Sequence, residues 1–401
     1  MSRHVIISAL GVTQILAWGS SYYLPAVLAA PIGRDTGWPL TWIVGGLSFG
    51  LLVAALVSPH VGRAIERRGG RHILALSAVA IGAGQIGLAA APTLPFYIAA
   101  WLIMGIGMGA GLYDAAFGTL GRLYGRDARA AITTLTLFGG FASTVCWPFS
   151  AFLVSTVGWR GACLAYAAIQ LCFSLPLYLL ILPRAAPAEA ALASATRGSD
   201  GPSGAKLPLA LLATLAVTLT LAAAISSLLS VHLLTILQAG GMALAAAVGL
   251  GTLVGPSQVA ARTIEMAIAR YHHPIWTKLA SVSFVAIGVS ALWAGLPLIP
   301  LALAFYGGGI GLESIARGTL PLALFGATGY AALMGRLAMP SLLAQAAAPW
   351  IGALLLERIG AHGTMAVVAS VAALNVALTI GLGWMVARHR LAFAPPQLQK
   401  S

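Results

Sequence analysis

Long apolar runs alternate with short clusters of Gly, Pro and basic residues along the whole chain. The runs cover approximately residues 5–32, 39–61, 72–91, 94–121, 129–157 and 160–182, and, after one polar interval, 207–238, 242–261, 275–295, 298–326, 329–357 and 363–387. Each is near or above the ~20 residues that a helix needs to cross a ~30 Å hydrocarbon core. The pattern predicts twelve spanning helices, six on each side of the interval 183–206. That interval, with Pro183, Pro187, Gly198, Ser199, Gly201 and Pro202, reads as a flexible linker. The expected organisation is a six-helix bundle over 1–182, the linker 183–206, a second bundle over 207–387 and a tail over 388–401.

Composition narrows this to an all-α integral membrane protein. The chain is 59% hydrophobic and 8% charged, against about 25% charged for soluble proteins, and its mean hydropathy is +0.93. Spread over twelve helices, 401 residues leave about 33 per helix and connector, so a soluble enzyme is excluded. The 47 Gly and 21 Pro suit membrane helices, where both allow close packing and bending. Cys146, Cys163 and Cys172 lie in apolar runs without metal-site spacing and read as packing residues.

The net charge of +13 suggests nucleic acid until the basic residues are located. They gather in short loops on alternate sides, which is a topology signal. Arg3, the cluster Arg63 to Arg71, Arg122, Arg126, Arg129, Arg184, Arg197, Lys206, Arg262, Arg270, Lys278, Arg388, Arg390 and Lys400 make 17 of the 22 on the side of the N-terminus. Arg34, Arg160 and Arg358 fall opposite, while Arg317 and Arg336 fall inside helices. Both termini and the linker are therefore expected in the cytoplasm of a cell whose plasma (inner) membrane the chain spans. The first apolar run is too long for the ~7–15 residue core of a cleaved signal and reads as a retained helix.

The two halves repeat. Arg63-Ala64-Ile65-Glu66 is matched 199 positions later by Arg262-Thr263-Ile264-Glu265, and Gly118-Thr119-Leu120 by Gly318-Thr319-Leu320. Asp114 has a counterpart in Glu313, Ser20-Ser21 in Ser226-Ser227 and Pro148 in Pro349. Six helices per unit make the repeats parallel, the transporter pattern in which a substrate site lies between pseudo-symmetric halves near the midplane. The loop after helix two, Gly62-Arg63-Ala64-Ile65-Glu66-Arg67-Arg68-Gly69-Gly70-Arg71, resembles the signature of the major facilitator superfamily, with Glu66 for the usual Asp and Gly70 for a basic residue. Gly158-Trp159-Arg160 is also similar to many members. The resemblance covers essentially the whole chain. It implies twelve helices in two parallel bundles, a cavity lined by the first and fourth helices of each half, and a cytoplasmic gate at the signature loop.

Charges at membrane depth cost ~2.5 kcal/mol or more on insertion scales and so mark function. Two carboxylates qualify, Asp114 and Glu313, in the fourth helix of each half; both are candidates for proton coupling. Glu313 and Arg317 stand i, i+4 with acid before base and are expected to neutralise each other. Arg317 and Arg336 are candidates for charge compensation or anion binding, Arg336 through a network with Asp114. Helix one carries Gln14, Trp18, Ser21 and Tyr22 on one stripe, and with Tyr113, Ser227 and Ser230 these are the expected cavity residues. His232 reads as a satisfied polar residue. Gly62, Glu66, Arg67, Gly69, Arg71 and Arg122, repeated by Arg262 and Glu265, are the expected gate. For the arginines a purely topogenic role is the alternative.

No Gly-x-x-x-x-Gly-Lys-Ser/Thr loop, metal-ligand spacing or Ser, His, Asp set is present in the sequence. The reading is a monomeric secondary transporter of a small organic solute in membrane lipid, without a cofactor or nucleic acid, drawing on a proton gradient. Helix five has Gly139-Gly140 and Pro148 but not the Gly-Pro pairing associated with proton-coupled exporters of the family, which leaves direction open. The rivals are a proton-coupled importer of small carboxylates, a multidrug or metabolite exporter, and a non-transporting sensor or facilitative channel. A membrane enzyme lacks a catalytic set.

Overall fold

The computed structural model describes residues 2–183 and 209–392; almost all of the linker 183–206 and most of the tail 388–401 lie outside the described residues. Within them, nine apolar helical stretches are long enough to cross a membrane, and two are double. Ala128–Ile181 and Tyr330–Arg388 hold 54 and 59 residues, which at ~1.5 Å per residue would run about 80 Å or more, far beyond one bilayer core. Each folds back at a glycine, Gly158 (φ 71°, ψ 174°) and Gly360 (φ 70°, ψ −179°), in a conformation open to glycine at little cost. A further span is interrupted at Thr252 and Leu253 into Leu244–Gly251 and Val254–Ile268, each too short alone.

Twelve spans result: α1 (Arg3–Thr36), α2 (Leu40–Arg68), α3 (Gly70–Ala90), α4 (Leu94–Tyr124), α5 (128–157), α6 (159–181), α7 (Leu209–Ala239), α8 (244–268), α9 (Pro274–Trp293), α10 (Ile299–Phe325), α11 (330–359) and α12 (361–392). The two ends of the molecule are fixed by contacts at the tips of α1. Arg3 donates to the Asp127 carbonyl between α4 and α5 at 2.6 Å, and Asp35 accepts from Trp159 Nε1 at the start of α6 at 2.9 Å. We call these the Arg3 end and the Asp35 end.

The two-fold relation shows in the packing. Between the halves, α2 packs on α11 and α8 on α5; exchanging the halves converts one contact into the other. At the Arg3 end the halves share one core, with Tyr330, Ala331 and Met334 of α11 packed among Ile65, Phe117, Leu120 and Ile132. A Cβ on Gly62 would collide with the Ala331 carbonyl and the backbone of Gly335, so α2 and α11 touch backbone to backbone there. Glu66 accepts from the Ala331 amide at 3.1 Å, and Arg129 donates to the His272 carbonyl at 3.0 Å. At the Asp35 end of α11, Trp350, Ile351 and Leu354 are exposed instead. Together with Leu56, Phe152 and Trp384, such outward apolar side chains make the surface of a multi-pass membrane protein, since a patch of this extent is not stable in water.

Three spans of the first half are broken, and buried glutamines satisfy the breaks in α1 and α4, as a chain inside lipid requires. α1 unwinds at residues 20–23; the Ser20 carbonyl accepts from Gln85 of α3, and the Ser20 hydroxyl from Gln170 at 2.9 Å. Gln170 itself opens a five-residue π-helical turn in α6. α4 breaks at Leu112 (ψ −170°), and Gln14 donates to the freed Gly111 carbonyl at 2.6 Å. α5 breaks at Phe141.

Candidate functional site

The breaks in α1 and α4 carry the first wall of a cavity between the halves. Trp18, Tyr22 and Tyr23 from α1 and Tyr113 from α4 line it, packed ring on ring: Trp18 lies 5.1 Å from Tyr113 and 5.2 Å from Tyr22, centroid to centroid. The facing wall comes from the second half, with Ala222 and Ser226 of α7, Tyr306, Glu313 and Arg317 of α10, Gln258 and Arg262 of α8, and Ser281 of α9. The open cavity, counted with the part continuous with solvent, holds about 1060 Å³ of non-protein space. A smaller chamber of about 460 Å³ shares Trp18, Tyr22, Tyr113 and Arg317 with it and adds Asp114. The first and fourth helices of each half thus contribute to the walls.

The interior charges pair differently from the i, i+4 expectation. Arg317 does not neutralise Glu313; it forms a two-pronged ion pair across the halves with Asp114, Nε to Oδ1 at 2.9 Å and Nη2 to Oδ2 at 2.8 Å. Glu313 turns the other way, to Lys278 Nζ of α9 at 2.5 Å, and accepts from the Ser281 hydroxyl at 2.8 Å. Lys278 also reaches the Thr218 carbonyl at 3.3 Å and is fully enclosed. It therefore belongs to the interior and not to the basic loop where charge counting puts it. The physical reason is reach: residues four apart share a face but differ by about 40° in direction, so in a packed bundle each meets a different neighbouring helix.

Arg262 differs in burial from its repeat partner. Its expected place is the gate, as the repeat of Arg63, yet Arg63 is exposed while Arg262 is 5% exposed and lines the cavity. Its guanidinium donates from Nε to the Gly311 carbonyl at 3.2 Å, from Nη1 to the Thr136 carbonyl of α5 at 3.1 Å and from Nη2 to Gln258 Oε1 at 3.2 Å. Gly140 makes room, since a Cβ there would strike Nη1.

The other expected residues divide. Trp18, Tyr22, Tyr113, Glu313 and Arg317 stand on the main cavity wall and Asp114 on the smaller chamber. Gln14 and Ser21 are wholly buried outside it, Gln14 capping the α4 break and Ser21 donating to the Ala17 carbonyl at 2.6 Å. The unwound turn after Gly19 shifts the phase of the stripe, so spacing on an unbroken helix misplaces Ser21. Ser227 donates to the Gln345 carbonyl at 2.8 Å and Ser230 to the Ser227 carbonyl; the neighbouring Ser226 faces the cavity instead. His232 meets the Pro349 carbonyl at 2.7 Å. Arg336 is exposed on the outer face of α11, away from Asp114, whose partner is Arg317.

At the Arg3 end, Gly62 and Glu66 stand at the α2–α11 contact, Gly69 turns the chain into α3 with φ 80°, Arg67 is exposed, and Arg71 and Arg122 are half-buried. Glu265 accepts from Thr277 at 2.7 Å and lies 3.4 Å from His272, whose carbonyl takes Arg129. Sequence reasoning missed Tyr23 on the first-half wall and Gln258, Lys278, Ser281, Tyr306, Gln345 and Asn375 in or behind the second-half wall. A signal existed for Lys278, which falls inside the apolar run 275–295, and for Gln258 and Arg262, which stand i, i+4.

A divided bundle with a central, partly charged cavity defines a membrane transporter. The family model described as Major Facilitator Superfamily matches residues 10–266, and the chain belongs to that family. It is 30% identical over 302 residues to an uncharacterised 38 kDa protein in a 23S RNA operon of Thermoproteus tenax, covering 74% of each chain. In fold it is similar to the human organic anion transporter MFSD10 (TETRAN), with a TM-score of 0.71 at 17% identity over 94% of this chain and 98% of that one. It is also similar to the proton:xylose symporter XylE bound to 6-bromo-6-deoxy-D-glucose, with a TM-score of 0.70 at 13% identity over 98% and 95%. At these identities the two structures share the fold alone.

Proposed function

We propose that the protein is a secondary active transporter that moves a small organic solute by alternating access, coupled to protons, with residues 1–182 rocking against 207–387. The observation that carries this is the Asp114–Arg317 pair, which ties the first half to the second beside the cavity, with the halves packed together at the Arg3 end. Opening that end must pull α4 from α10, and the attraction between two charges in a poorly hydrated site opposes it. A proton on Asp114 removes one charge and weakens the tie. Glu313, held to Lys278 at the main cavity wall, is the second proton site. Arg317 acts as the charge compensator, and Trp18, Tyr22 and Tyr113 as solute contacts.

The Arg3 end is the cytoplasmic one on this reading, and the membrane is the plasma (inner) membrane. Even without Arg262 and Lys278, that end keeps Arg3, Arg63, Arg67, Arg68, Arg71, Arg122, Arg129 and Arg270, against Arg34, Arg160 and Arg358 at the other, in accord with the positive-inside rule. The described state then has the halves packed together on the cytoplasmic side. The chain works as a monomer, each copy holding a complete cavity. The test is reconstitution in liposomes with an imposed pH gradient and labelled candidate solutes. Accumulation that collapses with a protonophore and is lost in Asp114→Asn supports the reading; equilibration without accumulation for every solute would make the protein a facilitator.

A further inference from the structure

We propose that the cavity takes a carboxylate monoanion with a compact apolar, ring-sized body, and that Arg262 is its anchor. Binding stands on the cavity itself; only the solute's passage across the membrane rests on the transporter reading.

The described ionisable groups at the cavity and its side chamber are Asp114, Glu313, Arg262 and Arg317, with Lys278 behind Glu313. Three cations against two carboxylates leave one positive charge, and the ion pairs show where it sits. Arg317 has Asp114 and Lys278 has Glu313, whereas the bonds of Arg262 go to two carbonyls and an amide, all neutral. A desolvated cation without a counter-charge is costly, and an anionic ligand removes that cost. One uncompensated charge selects a monoanion, because a second carboxylate on the ligand would be buried bare.

The donor count points to a carboxylate. Arginine has five N–H groups in a planar fork. Three are engaged, one on each nitrogen, which leaves one on Nη1 and one on Nη2. Two remaining donors on neighbouring terminal nitrogens equal in number the two oxygens of a carboxylate. The remaining walls say what the carboxylate is attached to. Tyr22, Tyr23 and Tyr113 stand on one side and Val282, Val285 and Ile310 on the other, a sandwich that suits a flat or alicyclic apolar group. A hydrated inorganic anion would leave those walls unfilled.

Arg262 also bonds the Thr136 carbonyl of the opposite half, so an anion drawing on its Nη1 and Nη2 acts on a contact between the halves. The ligand is thereby sensed at a place that changes during rocking.

The test is quenching of tryptophan fluorescence in the purified full-length protein by benzoate and cyclohexanecarboxylate, with benzamide, phthalate and chloride as controls. The wild type is expected to bind the two monocarboxylates at least tenfold tighter than benzamide or phthalate, with chloride failing to compete. Arg262→Gln should lose at least about tenfold of that affinity, and Arg262→Lys should recover part of it, since lysine keeps the charge but not the fork. Equal affinity for benzoate and benzamide in the wild type would overturn the proposal without any variant, as would the absence of monocarboxylate binding, competition by chloride at equal concentration, or unchanged binding in a folded Arg262→Gln protein. Proton-driven accumulation of a neutral solute, unaffected by Arg262→Gln, would sink this inference and leave the transporter reading standing. Tight monocarboxylate binding without accumulation in liposomes would do the reverse.

Discussion

The Lys278–Glu313 pair offers a stability test whose outcome depends on pairing and not on composition. Lys278 is fully buried and donates to Glu313 at 2.5 Å and to the Thr218 carbonyl at 3.3 Å, while the Glu313 side chain is 17% exposed toward the cavity. Removing one member of a buried ion pair costs about 3–5 kcal/mol because it strands the other charge, whereas replacing both by apolar groups is often neutral. The asymmetry of burial ranks the single variants. Glu313→Gln strands an enclosed ammonium and should lose about 3–5 kcal/mol. Lys278→Met strands a carboxylate that still accepts from Ser281 and meets cavity water, and should lose less, about 1–3 kcal/mol. The double variant should recover most of the loss, a coupling of about 2 kcal/mol or more in a double-mutant cycle. Equilibrium unfolding in mixed micelles, followed by fluorescence, measures all four proteins. Additive losses, or Lys278→Met more damaging than Glu313→Gln, would refute the pairing and its burial order.

Three further outcomes follow from the same geometry. Asp114→Asn removes the charge that holds Arg317 across the halves and should shift the protein toward the state open at the Arg3 end, read as faster labelling of a cysteine at Ser58 by a reagent added from that end; slower or unchanged labelling would count against it. Gly335→Val places a side chain where the Ser58 carbonyl and Gly62 lie, so it should block closure of the Arg3 end and give the same labelling change with Asp114 intact. Gln14→Ala strips the Gly111 carbonyl of its donor and should cost about 1–3 kcal/mol in unfolding measurements while leaving solute affinity within about twofold, because Gln14 lies outside the cavity; a large affinity loss in a stable protein would restore it to the wall.

The twelve spans were legible because length and hydropathy alone set them, and the fold-back points coincide with Gly158 and Gly360, residues whose backbone freedom is written in the sequence. The cavity was legible only in part. Trp18, Tyr22, Tyr113, Glu313 and Arg317 could be found as polar or aromatic exceptions on apolar helices, but partner choice could not. Helical spacing tells which residues share a face and is silent on which neighbouring helix that face meets, so it pairs Glu313 with Arg317, whereas their partners are Lys278 and Asp114. Charge counting by loop failed for Arg262 and Lys278 for a related reason: a residue near the start or end of a span is assigned to water by position, while long side chains and close glycines such as Gly140 let it reach inward. The repeat Arg63–Arg262 marks equivalent chain positions, yet one member is exposed and the other buried, since the halves line the cavity unequally.

The rocking of one half against the other is tested most directly by paired distances across the two ends. Spin labels at Arg67 and Thr328 report the Arg3 end, and labels at Arg34 and Arg358 the Asp35 end, after replacement of Cys146, Cys163 and Cys172. Double electron–electron resonance in nanodiscs should show a short Arg3-end distance at neutral pH, and on acidification a second, longer one appearing there while the Asp35-end distance contracts. Two ends that widen together, or neither moving with pH or solute, would contradict alternating access in this molecule.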